Sequence, residues 1–273
     1  MAAQRSGVTR VAIAGLGAIG RTVAGKLHAG LPGLTLSAVA ARDAVTARAW
    51  LEAQGITAPI VPLAELPTHC DLAVEAAPAA VIEEICRPML EAGKRVMVLS
   101  AGALLPRPHL IQLARANGGQ IIVPTGALLG LDAVVAAAEG EIHSVRMTTR
   151  KPPEGLKGAP HLVENRIEVD GLSAPKLVFS GSAREAAKGF PANVNVAAAL
   201  SLAGIGPDRT MIEVWADPTV TRNCHAIEVD SDSARFTLAI ENIPSENPKT
   251  GRITALSVIA ALRKLRAPLK VGT

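Results

Sequence analysis

Through the first half of the chain, short apolar runs alternate with stretches whose apolar residues recur every third or fourth position. Val11–Ala14 is an apolar run closed by Gly15, the pattern of a parallel strand buried on both faces. Ile19, Val23 and Leu27 then fall on one face of a helix. Pro32-Gly33 marks a turn, Leu34–Ala40 reads as a second strand and Ala44–Glu52 as a second helix. Strand signals at Leu72–Glu75, Arg95–Leu99 and Gln120–Val123 are interleaved with helical ones at Ala79–Leu90 and Pro108–Ala116. This order predicts an α/β fold with a doubly wound parallel sheet and helices on both faces. After about Leu129 the rhythm changes. Ile142–Thr149, Lys176–Ser180, Met211–Trp215, Cys224–Val229 and Arg235–Ile240 read as strands of a mixed or largely antiparallel sheet. Helices are expected at Ala183–Lys188 and Asn195–Ala203, and Lys151–Pro160 reads as a Pro/Gly-rich loop. A last helix, Thr250–Leu265, carries Ile253, Leu256, Ile259, Ala260 and Leu262 as its apolar stripe. The expected organisation is a first domain over 1–128, a second α+β domain over 129–245, and a C-terminal helical segment over 246–273 that returns to the first.

Composition narrows the function. Aromatic residues make up 2% of the chain, so the core must be built from Ala, Val, Leu and Ile. This argues against an aromatic stacking platform for bases, and with it against single-strand nucleic-acid binding. The net charge of +4 is dispersed with no Lys/Arg block, which fits small anionic ligands better than a polyanion. Cys70, Cys86 and Cys224 are odd in number and far apart, so neither a disulfide framework nor a metal site is expected. That usage and the absence of a long apolar run imply no membrane association and a reducing, cytoplasmic setting.

Gly15-Leu16-Gly17-Ala18-Ile19-Gly20 is a GxGxxG placed between the first strand and the first helix, the context that makes this motif informative. Gly15 permits the tight turn, Gly17 lets the main chain approach a pyrophosphate, and Gly20 lets helix and strand pack closely. The helix start, at Ala18 and Ile19, offers free N–H groups and a positive dipole end. The first domain is thus a Rossmann domain, and the cofactor NAD or NADP. Asp43 follows the second strand near the usual place of the acid that holds the adenosine ribose, while Arg42 beside it suits a 2′-phosphate. Ala77 and Pro78, after the third strand, would pass close to the nicotinamide side. Ser100–Ala103 and Pro124–Ala127 end the next two strands in the same way.

Several segments of the second half carry a resemblance. Gly189–Asn195 (GFPANVN), Trp215–His225 (WADPTVTRNCH), Thr149–Pro153 (TRKPP) and Asn247–Gly251 (NPKTG) resemble the L-aspartate dehydrogenase family, and the likeness spans nearly the whole chain. It implies oxidative deamination of L-aspartate through iminosuccinate to oxaloacetate and ammonia, with NAD or NADP as hydride acceptor. In that family the imine can feed quinolinate formation in NAD biosynthesis. The architecture implied is that of dihydrodipicolinate reductase and homoserine dehydrogenase, with substrate and dimer contacts on the second domain and a homodimer as the assembly. By the same resemblance His225 matches the catalytic histidine, and Ala127 and Asn195 match cofactor-contacting positions.

The chemistry asks for such residues independently. Deaminating an amine needs a group that exchanges protons near neutrality, which histidine does. On its predicted strand His225 alternates with Ile227 and Val229 and so faces inward; the other five histidines sit in no motif. An inward histidine is by default a core residue, and the motif is what distinguishes this one. A dicarboxylate also needs cations, for which Arg150, Lys151, Lys188 and Arg222 are candidates. Asn193 and Asn195 precede a helix; one is expected to cap it and the other to orient substrate or nicotinamide. Two other readings remain at this point. A cyclic-imine reductase of the dihydrodipicolinate reductase type lacks its adjacent-histidine signature here. A non-catalytic dinucleotide sensor would need neither His225 nor a cationic pocket.

Overall fold

The computed structural model describes residues 7–191, 194–244 and 251–273. They form two compact units. One lies within Met1–Ser100, Arg107–Pro124 and Val258–Lys270, the other within Ala101–Pro106, Thr125–Ser257 and Val271–Thr273. The division is not a single cut: the chain joins the second unit briefly after residue 100, goes back, and re-enters it after Pro124.

The first unit is a parallel five-stranded sheet in the order β2-β1-β3-β4-β5. Its strands are β1 (Thr9–Ala14), β2 (Leu34–Ala40), β3 (Leu72–Glu75), β4 (Arg95–Val98) and β5 (Gln120–Ile122). Its helices are α1 (Ala18–His28), α2 (Ala44–Ala53), α3 (Leu66–His69), α4 (Ile82–Glu91) and α5 (Pro108–Asn117). β1 is inaccessible at Val11, Ala12, Ile13 and Ala14, as a central strand covered on both faces must be. Val11 and Ile13 join Val23, Ala24 and Leu27 of α1 and Val258, Ile259 and Leu262 near the C-terminus in one core cluster. Each large side chain so buried stabilises by roughly 1.5–3 kcal/mol. The strand order reverses between β1 and β3, which places the ligand crevice of such a sheet at their carboxyl ends.

The second unit is a mixed five-stranded sheet in the order β10-β9-β6-β8-β7. Its strands are β6 (Ile142–Lys151), β7 (Lys176–Ser182), β8 (Thr210–Ala216), β9 (Asn223–Ser231) and β10 (Arg235–Asn242). β6 and β8 run parallel and the other pairs antiparallel. Its helices are α6 (Leu131–Ala137), α7 (Pro160–Glu164), α8 (Ala183–Gly189) and α9 (Asn195–Ala203). One face of the sheet is buried at Val145, Met147, Ile212, Val214, Ile227 and Val229. The alternate positions Arg146, Met211, Glu228, Thr237 and Ala239 are exposed on the other.

Three local expectations change. β6 runs on through Lys151, so that residue is strand and not loop. α6 has no sequence signal, because Leu-Asp-Ala-Val-Val-Ala-Ala is too short and too uniformly apolar to show a period. The last helix, α10 (Arg252–Arg266), buries Ala255, Val258, Ile259 and Leu262, while Ile253 and Leu256 are 41% and 58% exposed. The buried set follows the i, i+3, i+4, i+7 spacing, and Ile253, Leu256 and Ala260, all three exposed, fall outside it. Thr250 lies outside the described residues. Among the described residues no helix is long and apolar enough to cross a membrane.

Candidate functional site

In the first unit the glycine loop is shaped by what its residues lack. Gly15 has φ +105°, and a Cβ there would lie 2.5 Å from the Ala76 carbonyl oxygen and 2.7 Å from the Ala77 nitrogen. A side chain would push apart the turns that follow β1 and β3. A Cβ on Gly20 would fall 1.9 Å from the Gly15 carbonyl oxygen, so only glycine lets α1 start this close to the loop. A Cβ on Gly17 would meet nothing within 4 Å. That open space, with no side-chain cap on α1 and no acidic residue in its first turn, is what a pyrophosphate needs at Ala18, Ile19 and Gly20. The donors present therefore fit a dinucleotide. Ala77 and Pro78 form the turn after β3 beside Gly15.

At the adenosine end Asp43 has a second role. Asp43 is the N-cap of α2: one carboxylate oxygen accepts from the Val45 and Thr46 N–H groups, the other from the Thr46 hydroxyl at 2.6 Å. The Thr46 bonds hold its pKa below the ordinary aspartate value. Its carboxylate caps the helix with three of its acceptor positions and stays exposed. Arg42 is exposed and makes no hydrogen bond or ion pair to the described residues.

Glu75, which belongs to no motif, is wholly buried at the end of β3. One oxygen accepts from the Leu99 and Ser100 N–H groups at 3.0 and 2.8 Å, the other from the Ser100 hydroxyl at 3.0 Å. Burial raises its pKa while these bonds act against the rise. The carboxylate ties the turn after β4 to that after β3. The sequence signal for it is slight: a single acid closing an apolar strand.

In the second unit His225 lies on the buried face of β9, 4% exposed, directly across from Thr149 of β6. Its Nδ1 is 2.8 Å from the Thr149 hydroxyl. Burial, and then the charge of Lys151, push the imidazole pKa down to about 3. Lys151, two residues along from Thr149, shares that face, is 4% exposed and is pushed down to about 8 by burial. A neutral imidazole and an ammonium group whose pKa is drawn toward neutrality thus stand on one wall.

Of the other candidate cations, Arg150 does not join them. Arg150 alternates with Thr149 and Lys151, so it projects from the opposite face of the sheet. There it stacks on Trp215, 4.9 Å from the ring centre, and pairs with Asp217 at 3.0 Å. Asp217 also accepts from the Thr219 N–H and hydroxyl and so holds the turn that leads to His225. A concavity of about 290 Å³ is lined there by Thr148, Arg150, Cys224, Ala226, Ala239 and Glu241, together with His225 and Ile240. Arg222 is about half exposed, 3.9 Å from Glu241, and Lys188 is exposed at the end of α8. Asn195 begins α9 without capping it: Val194 is the cap residue, and the Asn195 side-chain oxygen accepts from the Gly102 N–H at 3.2 Å. Asn193 lies outside the described residues. The Ala127 carbonyl accepts from the Asn242 side-chain amide at 3.0 Å.

Comparison with known proteins agrees with this arrangement. Residues 132–265 match the family model for the C-terminal part of aspartate dehydrogenase, and 15–124 that for the NAD-binding domain of homoserine dehydrogenase. The chain is 61% identical over 264 residues to L-aspartate dehydrogenase 3 of Bordetella bronchiseptica, covering 96% of this chain and 97% of the relative. It is likewise 61% identical to the L-aspartate dehydrogenase of Bradyrhizobium diazoefficiens, covering 97% and 94%. A crystal structure of aspartate dehydrogenase from Thermotoga maritima shares the fold, with a TM-score of 0.74 at 24% identity over 97% of this chain and 99% of that one. A Rossmann unit with an open glycine loop, joined to a mixed-sheet unit, defines an NAD(P)-dependent dehydrogenase. The chain belongs to the aspartate dehydrogenase family.

Proposed function

We propose that this protein oxidises L-aspartate to iminosuccinate, which hydrolyses to oxaloacetate and ammonia, with NAD or NADP as hydride acceptor. The observation that carries the reading is the buried His225–Thr149–Lys151 wall in a chain 61% identical to a protein named L-aspartate dehydrogenase. The bound dinucleotide supplies the hydride acceptor. The main-chain N–H groups after Gly17 hold its pyrophosphate, Gly15, Ala77 and Pro78 shape the neighbouring wall, and Arg42 takes a 2′-phosphate where there is one. Ala127 and Asn195 are proposed as further cofactor contacts. His225 meets the reacting nitrogen or oxygen. Lys151 and Arg222 suit the substrate carboxylates, whereas Arg150 is engaged with Asp217 on the other face. Asn193 completes the proposed substrate set.

The same family membership supports a homodimer through the open face of the β6–β10 sheet, where Met211 and Leu177 are 44% and 43% exposed. It also supports a cytoplasmic enzyme whose imine feeds NAD biosynthesis. The decisive experiment mixes purified protein with L-aspartate and NAD or NADP and follows the absorbance of reduced cofactor. Oxaloacetate and ammonia should appear in equal amounts. Dinucleotide binding without turnover, or turnover of a cyclic imine alone, would overturn the proposal.

A further inference from the structure

Thr149 and His225 are linked by one hydrogen bond whose direction the surroundings determine. Both side chains are almost inaccessible, 3% and 4% exposed, on neighbouring strands in the middle of a sheet. The Thr149 Oγ1 to His225 Nδ1 distance is 2.8 Å. Among the described residues the Thr149 hydroxyl has no second polar partner. A hydroxyl carries one hydrogen, and a neutral imidazole has one N–H donor and one bare nitrogen acceptor. If Nδ1 carried the ring proton it would donate to Oγ1, and the hydroxyl hydrogen would be left buried without an acceptor. Leaving a buried donor unmade is the costly outcome. If the hydroxyl donates to Nδ1, the hydroxyl hydrogen and Nδ1 are both satisfied, and the ring proton sits on Nε2, which has no partner among the described residues and is the nitrogen left for a substrate.

We infer that Thr149 is a positioning residue that holds His225 in the neutral tautomer protonated at Nε2, so that the ring meets its substrate as an N–H donor. Burial and the Lys151 charge keep the ring neutral, with its pKa pushed down to about 3. A buried neutral imidazole of this kind acts as an electrophile: it polarises a carbonyl, or steadies the oxygen that develops when that carbonyl is attacked. What the donor acts on, the keto oxygen of oxaloacetate or the carbinolamine oxygen on the way to it, rests on the proposed aspartate dehydrogenase activity. The tautomer itself does not. In this tautomer His225 starts as a proton donor and not as an acceptor. In the resting form Nε2 has no free lone pair, and proton uptake there needs the Thr149 bond to reverse.

The test is nitrogen-15 NMR of the full-length protein labelled at histidine, without substrate, with the His225 signals assigned by their loss in His225→Gln. The expected spectrum shows a protonated Nε2 and a bare Nδ1 at neutral pH. A protonated Nδ1 with a bare Nε2, or a doubly protonated ring, overturns the inference. Thr149→Ser should keep the pattern and most of kcat. Thr149→Val should lose the fixed tautomer and lower kcat roughly 10-fold or more, since a wrong tautomer disables a histidine, with dinucleotide affinity unchanged. Equal kcat for the Val and Ser variants would also overturn it. If Thr149→Val does not fold, the wild-type spectrum alone decides. A protein with Nε2 protonated but no aspartate turnover sinks the proposed activity and leaves the tautomer standing.

Discussion

In the first unit the candidate site is main chain: three glycines within a few residues of each other, uncapped N–H groups, and space that a Cβ would enter without touching anything. In the second unit it is side chains from two strands, Thr149 and Lys151 on β6 and His225 on β9, far apart in sequence and joined by register. The first leaves room and presents fixed dipoles, so its failures are steric. The second gathers groups whose ionisation is set by burial, so its failures are electrostatic. A dehydrogenase needs both kinds of construction, since a pyrophosphate asks for close main-chain approach and deamination asks for groups with displaced pKa values.

That contrast can be broken by mutation. The largest effect is expected from His225→Ala, which should lower kcat about 100-fold or more while leaving dinucleotide affinity nearly unchanged. Steady-state kinetics and a calorimetric titration on the same variant check it. Near-normal turnover with a lowered melting temperature would mark His225 as a core histidine. Gly17→Val should do the reverse, weakening dinucleotide binding roughly 10-fold or more because the side chain enters the pyrophosphate space. Its melting temperature without cofactor should hold, since a Cβ at this position meets no protein atom within 4 Å. Unchanged affinity by titration would move the pyrophosphate away from the loop.

A third experiment uses acid. The folded pKa of His225 lies far below the ordinary value of 6.5, at about 3, so between these limits the unfolded chain binds more protons than the folded one. Stability from this group is complete above pH 6.5 and falls as pH drops toward 3. His225→Gln removes that contribution, so its denaturation midpoint should fall less steeply than that of the wild type over this range. Parallel curves would show the imidazole to be solvated. The smallest effect is expected at Arg42. Arg42→Ala should weaken NADP several-fold and NAD little, on the order of one exposed charge-assisted contact. Equal changes for the two cofactors would place Arg42 away from the 2′-phosphate.

The residues of the first site can be read in order along the chain because their reasons are local. A strand, a tight turn, a close approach and a helix start follow one another from Val11 to Leu27, and each demands a residue type. Locality also sets the limit of that reading. Asp43 has the position of a ribose ligand, yet its side chain closes back on the start of α2, a competition between cap and ligand that spacing alone does not resolve. Glu75 is hidden from such a reading because its partners lie on the next strand over.

The sequence by itself determined the fold class, the dinucleotide loop and the inward face of His225, because periods of two and 3.6 residues and the demands of glycine geometry are written within a few residues. Only the tertiary structure decided which neighbours those residues have. It set Thr149 opposite His225, turned Lys151 to the same wall and sent Arg150 to the other, and buried the wall deeply enough to move its pKa values. Strand register pairs residues across long stretches of chain, and desolvation depends on everything packed around a group, so neither is a property of any local stretch of sequence.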